Sequence, residues 1–305
     1  MQTQFAQAMV QALRSRPRSI APKYFYDQQG MELFERICLL DEYYLTRTEI
    51  ALLREHAGRI AALIGPHAEL VEFGAGSPDK ARIVLDALAR PARYVPVDLA
   101  VEGLTAARRE LEHAYPSLRV EPLAADLTEP FSLPERRTAQ GRRVGLFLGS
   151  TIGNFSPAEA RDFLARAARV LHGGALLVGV DLVKDPAVLH RAYNDAQEVT
   201  AAFNRNLLAR ANRELGADFD LAGFDHYAFY QPDEQHIEMH LVSTRRQIVR
   251  VCGEAFEFAD GESLHTENSY KYTVDGFHTL ARQAGLAPGP VWCDRQRLFS
   301  LHWLA

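Results

Sequence analysis

The 305-residue sequence has few cysteines, no long apolar run and no excess of basic residues. Its three cysteines, Cys38, Cys252 and Cys293, lie far apart and form no C-x-x-C pair, which excludes a disulfide framework and favours a reducing cytoplasm. No apolar stretch approaches the ~18 residues that a membrane-spanning helix needs, and the N-terminal residues lack the apolar core of a signal peptide. We therefore expect a cytoplasmic protein.

The charge of the sequence is mildly acidic, with a formal net charge of −5. Proteins that follow a phosphate backbone need a basic surface, and short pairs such as Arg142–Arg143 do not supply one. The apolar fraction of 47% and the charged fraction of 24% are ordinary for a globular protein, and the length allows a substantial core. We expect a monomer that binds a small molecule and neither nucleic acid nor membrane.

Strand-like and helix-like passages alternate from Ile50 onward, a pattern that predicts a parallel sheet with helices on both faces. The predicted strands cover residues 68–76, 93–100, 117–127, 143–150 and 175–183, and the predicted helices cover 79–89, 104–111 and 158–171. A further helix over 273–286 precedes two strands that only Asp294–Arg297 separate. Because a parallel crossover needs about a dozen residues, these last strands are predicted to form an antiparallel hairpin.

The sequence therefore predicts an α/β protein with two domains. Residues 48–183 and 272–305 are expected to form the domain with the parallel sheet. Residues 1–47 and 184–271 fit that layout poorly and are expected to form a second, smaller α+β domain that binds substrate. Its predicted elements are an N-terminal amphipathic helix, a long helix over 189–215 and a hairpin that pairs 235–243 with 246–253.

The motif V-E-F-G-A-G ends the first predicted strand with Gly74 and Gly76, and such a turn lets a ligand approach the backbone. Asp98 closes the second strand about 20 residues on, where an acid bonds ribose hydroxyls, and Asp126 closes the third, where a carboxylate could meet an adenine amino group. The structural alternative is a pair of turn glycines with acids that only cap strand ends.

The dinucleotide fingerprint requires a third glycine, and Asp79 stands in its place. An acid at the start of that helix would repel a pyrophosphate, so a cofactor without phosphates fits better. The E-x-G-x-G motif, the two strand-end acids and the terminal hairpin resemble the S-adenosylmethionine (SAM) methyltransferases, with SAM as co-substrate and no metal.

The fourth predicted strand ends in L-F-L-G-S-T-I-G-N, with Gly149 and Asn154 in its polar tail. Ligands bind beyond the carboxyl ends of the strands in open α/β sheets, so this tail is a candidate substrate site. Asn154 could instead cap the helix that follows.

A more specific resemblance runs in order from about residue 22 to the C-terminus. It is carried by the motifs Y-F-Y-D-Q-Q-G-M-E-L-F-E-R-I (24–37), D-E-Y-Y-L-T-R-T-E (41–49), F-L-G-S-T-I-G-N-F (147–155), A-Y-N-D (192–195) and T-E-N-S-Y-K-Y-T (266–273). These motifs resemble the histidine Nα-methyltransferase family of ergothioneine biosynthesis. The resemblance implies three successive methyl transfers from SAM to the α-amino group of L-histidine, giving trimethylhistidine (hercynine).

The resemblance also implies roles for residues that contact the amino acid. Asn154 and Tyr193 would bind its carboxylate, and the Gly149 carbonyl would receive its amine. Glu267 and Ser269 would hold the imidazole.

Further residues are implied around these. Tyr43 would lie against the other side of the imidazole, Tyr26 and Phe34 would wall the methyl-transfer site, and Lys80 and Arg82 would lie near the cofactor. Met239, on the buried parity of its predicted strand, would reach the substrate pocket.

Structural alternatives stand beside several of these roles. Tyr43 could form a hydrophobic clasp before a capping box in which Thr46 caps a helix and Glu49 reaches back. Phe34 could belong to the core. His236, Glu238 and His240 share one parity of a strand, and a solvated strand face is a better interpretation than a metal site.

Three other functions remain open: a methyltransferase for another amino acid or small amine, a non-catalytic SAM-binding module, and a dehydrogenase. Glu267 favours histidine over other amino acids because a carboxylate can accept an imidazole N–H. The polar tail after the fourth strand argues against a non-catalytic module, and Asp79 argues against a dehydrogenase.

Overall fold

The computed structural model describes residues 2–99, 101–136 and 141–305, without the side chains of residues 2, 101, 102, 106 and 107. The chain divides into two compact units. Unit 1 comprises Met1–Tyr44 and Lys184–Tyr270, and unit 2 comprises Leu45–Val183 and Lys271–Ala305. The first predicted domain limit, after residue 47, lies three residues beyond the limit at Tyr44. The last predicted limit, after residue 271, lies one residue beyond the limit at Tyr270.

The helices of the described chain are α1 (Gln2–Arg14), α2 (Gln28–Cys38), α3 (Tyr44–Ile64), α4 (Asp79–Ala87), α5 (Val101–Ala114), α6 (Pro157–Leu171), α7 (Pro186–Tyr193), α8 (Val199–Leu215) and α9 (Val274–Gln283). None of the helices in this described part is both long enough and apolar enough to cross a membrane.

The strands are β1 (Arg18–Ser19), β2 (Glu69–Phe73), β3 (Arg93–Asp98), β4 (Arg119–Val120), β5 (Leu123–Ala124), β6 (Arg143–Phe147), β7 (Ala175–Asp181), β8 (Phe224–Gln231), β9 (His236–Ser243), β10 (Gln247–Val251), β11 (Glu254–Phe258), β12 (Ser263–Tyr270), β13 (Pro288–Cys293) and β14 (Phe299–Leu304). The second predicted strand of unit 2 ends at Asp98, and its predicted last residue, Ala100, lies outside the described residues. The third divides into the short strands β4 and β5.

Unit 2 is built on a mixed sheet with the strand order β13-β14-β7-β6-β2-β3-β4, and β5 also pairs with β3. Strands β2 to β7 run parallel, whereas β14 runs antiparallel to β7 and β13. The predicted terminal hairpin is therefore confirmed. The chain leaves β2 toward β3 on one side and returns to β6 on the other, so the carboxyl ends of β2 and β6 border the crevice where such sheets bind ligands.

The amino end of this sheet carries a buried ionic cluster. Glu69 opens β2 and pairs with Arg93 at 2.9 Å and with Arg143 at 3.0 Å. The remaining positions of β2 and β6 are also buried. The carboxylate of Glu69 is thus paired with two arginines at the amino end of the sheet, the end opposite to the ligand crevice.

Unit 1 contains a four-stranded sheet in the order β1-β12-β9-β8, together with the separate hairpin β10–β11. The predicted pairing of 235–243 with 246–253 is wrong, because β9 pairs with β8 and β12 instead. Cys252 and Gly253 have φ values of 51° and 83° and form the turn between β10 and β11. A two-residue turn with left-handed backbone joins antiparallel strands directly, so β10 takes β11 as its partner.

The predicted long helix over 189–215 is interrupted, because α7 ends at Tyr193 and α8 begins at Val199. The Asp195 carboxylate accepts hydrogen bonds from the backbone N–H groups of Val199 (2.9 Å) and Thr200 (2.8 Å), at the start of α8. The A-Y-N-D motif therefore spans the end of α7 and the start of the turn that leads to α8.

Candidate active site

The turn after β2 is shaped by two glycines. The N–H groups of Gly74 and Ala75 both donate to the Val97 carbonyl, at 2.9 and 3.1 Å, and Gly74 has a left-handed φ of 73°. A Cβ added at Gly76 would meet no heavy atom of the described residues within 4 Å. The backbone at Gly76 is therefore accessible to a ligand at the carboxyl end of β2.

Acidic side chains surround this turn. Asp98 is the last residue of β3, as predicted. Asp126 Oδ1 accepts hydrogen bonds from the Thr128 backbone N–H (2.9 Å) and hydroxyl (2.6 Å), so the capping alternative applies to that oxygen. The pKa of Glu72 is raised to about 7, chiefly by burial and also by the charges of Glu49 and Asp98, while the hydrogen bond from Tyr94 and the charge of Lys80 oppose the rise. The carboxyl end of the sheet is thus an acidic environment.

The pKa of Glu72 predicts how stability depends on pH. The folded protein holds a proton on Glu72 that the unfolded chain loses above pH 4.5, so the contribution to stability is complete below pH 4.5 and is lost as the pH rises through about 7. Glu72→Gln cannot ionise, and we expect its unfolding free energy to rise relative to the parent by about 3 kcal/mol between pH 4.5 and pH 8. Denaturant titrations of both proteins across this range measure the difference, and a constant difference would contradict the expectation.

Glu49 is fully buried and joins two of the predicted site residues. Its carboxylate accepts the Gly149 N–H with both oxygens, at 2.8 and 2.9 Å, and Oε2 lies 2.6 Å from Lys80 Nζ. The capping box predicted for Thr46 and Glu49 is therefore wrong, because α3 begins at Tyr44 and Glu49 lies within its second turn.

The segment after β6 has unusual backbone geometry. Gly149 and Ser150 are both left-handed, with φ values of 78° and 56°. Ser150 Oγ accepts the Asp181 N–H at 2.9 Å, and the Ser150 carbonyl accepts the Gly153 N–H at 2.8 Å. Asp181 in turn pairs with Lys271 at 3.0 Å, and both side chains are completely buried. The two residues are therefore fixed from several sides.

Asn154 ends a short 3-10 helix over Thr151–Asn154. The next helix, α6, is capped by Ser156, whose hydroxyl accepts the Glu159 N–H while the Glu159 carboxylate accepts the Ser156 N–H. Asn154 is therefore not the helix cap. Within the described part of the chain its side-chain amide has no hydrogen-bond partner, so its donors and acceptor are available to a ligand.

Arg82 lies on the same helix as Lys80 and has an acidic partner. Two positions after Lys80 on α4, its guanidinium pairs with Glu110 of α5 at 2.5 Å. It also lines a surface groove with Arg54 and Asp86. The structure therefore brings together Lys80, Glu49 and Gly149, and it pairs Arg82 with Glu110.

In unit 1, one face of the sheet carries the predicted imidazole ligands. Glu267 pairs with Met239 and Ser269 pairs with Ile237 across β12 and β9, so these side chains share a buried face. A bulge at Thr266 produces this arrangement. Regular alternation from Leu264 would turn Glu267 and Ser269 to the opposite face, and the extra residue reverses their direction.

The bulge is held by hydrogen bonds from α8. Thr266 Oγ1 lies 2.8 Å from Asn204 Oδ1 and 3.0 Å from the Met239 carbonyl, and both Thr266 and Asn204 are completely buried. Asn204 Nδ2 also donates to the His240 carbonyl at 2.9 Å. The direction of Glu267 is therefore fixed by buried polar contacts.

Tyrosines flank the carboxylate and hydroxyl. The Tyr193 hydroxyl donates to Ser269 Oγ at 2.7 Å, which joins the residue assigned to the substrate carboxylate with one assigned to the imidazole. Burial raises the pKa of Tyr43 well above its ordinary value, and Tyr193 and Glu267 contribute to the shift. Tyr43 is therefore a neutral phenol close to this cluster.

Tyr26 and Phe34, which were predicted to wall the methyl-transfer site, pack against each other in unit 1. The Phe34 ring lies 5.7 Å from that of Tyr26 and 6.3 Å from that of Tyr43, in edge-to-face geometry. Phe203 of α8 lies 5.7 Å from Tyr26 and 6.1 Å from Phe34, and the sequence reasoning assigned it no role. Its apolar spacing with Val199 and Leu207 marks a buried helix face and could have identified it.

The other face of the sheet carries His236, Glu238 and His240. Glu238 accepts hydrogen bonds from His236 Nε2 at 2.9 Å and His240 Nε2 at 3.0 Å, and His236 is only 5% exposed. The prediction of a solvated strand face is therefore wrong for His236. Among the described residues, no group of three or more His, Cys, Asp or Glu side chains could hold a metal ion.

Comparison with known proteins identifies the family. The family model described as "Histidine-specific methyltransferase, SAM-dependent" matches residues 5–305. A histidine N-alpha-methyltransferase from Mycolicibacterium smegmatis is 43% identical over 297 residues, covering 95% of this chain and 91% of that protein. The chain belongs to this family. It is therefore a SAM-dependent methyltransferase, and the resemblance found in its motifs is confirmed.

Other members and neighbours agree. Ergothioneine biosynthesis protein 1 from Neurospora crassa is 31% identical over 310 residues, covering 95% of this chain and 33% of that protein. The solved structure of a mitomycin 7-O-methyltransferase aligns with a TM-score of 0.50 and 15% identity, covering 92% of this chain and 58% of that chain. This structural likeness supports the methyltransferase fold of the mixed sheet.

Glu49 contacts two of the predicted site residues, Gly149 and Lys80, but was not itself among the residues predicted from the sequence. The residues Leu45, Leu52 and Leu53 are buried and lie four residues before and three and four residues after it on α3. An acid within such an apolar helical stripe is buried, and buried acids are candidates for functional roles. That spacing is the signal that could have identified it.

Proposed function

We propose that this protein transfers methyl groups from SAM to the α-amino group of L-histidine, giving trimethylhistidine (hercynine) in ergothioneine biosynthesis. The observation that carries the proposal is the buried pair Glu267 and Ser269, which share one sheet face through the bulge at Thr266. The relatives named above as a histidine methyltransferase and an ergothioneine biosynthesis protein support it. In this proposal unit 1 binds the imidazole, unit 2 binds SAM, and the enzyme is a cytoplasmic monomer.

The residues at the carboxyl end of the unit 2 sheet fit SAM. When bound, SAM supplies an electrophilic methyl group on a positively charged sulfonium. Gly74 and Gly76 would leave room for it, Asp98 would accept the ribose hydroxyls, and Asp126 would meet the adenine. Asp79 is compatible because SAM carries no phosphate. Lys80 is neutralised by Glu49, so this ammonium does not oppose a cationic ligand.

The imidazole would be recognised through both ring nitrogens. Glu267 accepts one ring N–H, and a charge-assisted bond of this kind is among the stronger ones in proteins. Ser269 Oγ accepts the Tyr193 hydroxyl, and in this proposal the Ser269 O–H donates to the other ring nitrogen. Met239 and Tyr43 would pack against the ring. A substrate side chain without polar ring atoms, such as that of phenylalanine, would offer no hydrogen-bonding group to Glu267 or Ser269.

The amine would be held in its neutral form beside the Gly149 carbonyl, with Asn154 on the carboxylate. An α-amino group has a reference pKa near 8, so a usable neutral fraction exists at neutral pH without a dedicated base. At each transfer its lone pair forms the N–C bond as the C–S bond breaks. The proton that nitrogen carries after the first and the second transfer goes to water, and the quaternary nitrogen formed by the third transfer has no proton to release. The aromatic rings of Tyr26, Phe34 and Tyr43 suit a quaternary ammonium product.

Mass spectrometry of the purified protein incubated with SAM and a pool of the twenty amino acids tests this proposal. We expect histidine alone to gain one, two and then three methyl masses. A gain of methyl mass by a different amino acid would support the methyltransferase activity but show that histidine is not the substrate. No gain on any amino acid would overturn the proposal of amino-acid methylation.

A further inference from the structure

Glu49 is a buried carboxylate for which the proposed function gives no direct contact with either substrate. An apolar side chain at this position would continue the stripe of Leu45, Leu52 and Leu53 without the cost of desolvating a charge. The structure instead provides it with two charge-compatible partners, the Gly149 N–H and the Lys80 ammonium. The absence of a side chain at Gly179 also leaves room for the Glu49 carboxylate, which a Cβ at that position would overlap. The carboxylate is therefore a built feature of unit 2.

Gly149, whose backbone N–H donates to Glu49, depends on contacts with other residues to hold its backbone conformation. Glycine has wide conformational freedom, and Gly149 and Ser150 both adopt left-handed backbone conformations, which cost roughly 1–2 kcal/mol for a residue with a side chain such as Ser150. Ser150 is anchored through Asp181 and Gly153. The matching anchor on Gly149 is the Glu49 carboxylate. These contacts hold the chain on both sides of the peptide that joins residues 149 and 150, which carries the Gly149 carbonyl.

We propose that Glu49 is a positioning residue for methyl transfer, which orients the Gly149 carbonyl toward the substrate amine and holds the Lys80 ammonium beside it. This inference rests on the proposed function. Methyl transfer is an in-line displacement, so a displacement of the amine by about 1 Å is expected to cost on the order of 100-fold in rate. Glu49 touches neither substrate, and it acts through Gly149 and Lys80.

Glu49→Gln tests this role with little change in volume. Glutamine has one acceptor oxygen, so its NH₂ group must face either the Gly149 N–H or the Lys80 ammonium, both of which are donors. We expect kcat to fall about 10- to 100-fold, with KM for histidine within about threefold of the parent. We also expect faster amide hydrogen exchange at Gly149.

Glu69→Gln is the matched control. Glu69 is equally buried in the same unit, but it pairs with Arg93 and Arg143 at the amino end of the sheet. Its substitution is expected to lower thermal stability and to leave kcat and Gly149 exchange within about twofold of the parent. If Glu49→Gln behaved like this control, with a lower melting temperature and parental kcat, the positioning role would be wrong.

Two further observations keep the inference testable. If Glu49→Gln does not fold, Gly179→Ala displaces the same carboxylate without removing its charge, and it should also lower kcat and loosen the Gly149 amide. If the parent protein does not methylate histidine, the proposed function fails, and hydrogen exchange at Gly149 then decides the positioning role alone. Equal exchange in Glu49→Gln and Glu69→Gln would overturn it.

Discussion

Glu267→Ala is expected to lower kcat/KM for histidine by about 100-fold, while the dissociation constant of SAM changes by less than about threefold. The alanine removes the acceptor of an imidazole N–H, a hydrogen bond to a charged group, and it leaves that N–H facing the buried surface beside Met239. Steady-state kinetics with histidine, combined with calorimetric titration of SAM, measure the two quantities separately.

Glu238→Ala provides the control for this substitution. Glu238 lies on the neighbouring strand with its carboxylate on the opposite face of the same sheet, between His236 and His240. Its loss perturbs the sheet without touching the imidazole ligands, so kcat/KM should remain within about fivefold of the parent. Equal losses of histidine turnover and SAM affinity in Glu267→Ala would show that the residue supports the fold and does not select the ring.

Asp98→Ala is expected to have the opposite signature, a SAM dissociation constant raised by about 30-fold with a histidine KM close to that of the parent. A carboxylate at the end of β3 can accept both ribose hydroxyls, and its charge also favours a sulfonium cation. The effect should exceed that of Asp126→Ala, because one Asp126 oxygen already holds the Thr128 turn.

Asp86→Ala controls for the loss of one negative charge from unit 2. Asp86 is exposed on α4 and accepts a hydrogen bond from the Tyr115 hydroxyl. SAM titrations at low and moderate salt should show little change for Asp86→Ala and a persistent loss for Asp98→Ala, since a direct contact is screened less than a distant charge. A similar loss of SAM affinity in both variants would show that Asp98 acts only through the overall charge of unit 2.

Local sequence signals were sufficient for most strands of the unit 2 sheet. The apolar runs of β2, β6 and β7 each end at a polar or glycine-containing turn, and the short link Asp294–Arg297 admits only a hairpin. Each of these signals lies within a dozen residues of the element that it predicts. The candidate residues Gly74, Gly76, Asp98 and Gly149 accordingly fall at the carboxyl ends of the strands.

Unit 1 was harder to predict because its partners are distant in sequence. The strand β9 lies between β8 and β12, and nothing in its own residues indicates that choice over the nearby β10. The break after Tyr193 was missed because helical spacing continues on both sides of it, whereas Asp195 as a cap for α8 was a readable signal.

Glu49 of unit 2 was misassigned because T-R-T-E matches a capping box locally, although its partners are 31 and 100 residues away.

The absence of a side chain at Gly179 has a consequence for how the sequence can vary in evolution. The space that a Cβ would fill at this position of β7 is occupied by the Glu49 carboxylate, which lies on a helix more than a hundred residues earlier in the chain. A side chain at position 179 would displace the Glu49 carboxylate, whereas a smaller residue at position 49 would leave that space unfilled. Among descendants of this sequence, a glycine at position 179 should therefore covary with an acid at position 49, and the two should be lost together wherever methyl transfer is no longer selected.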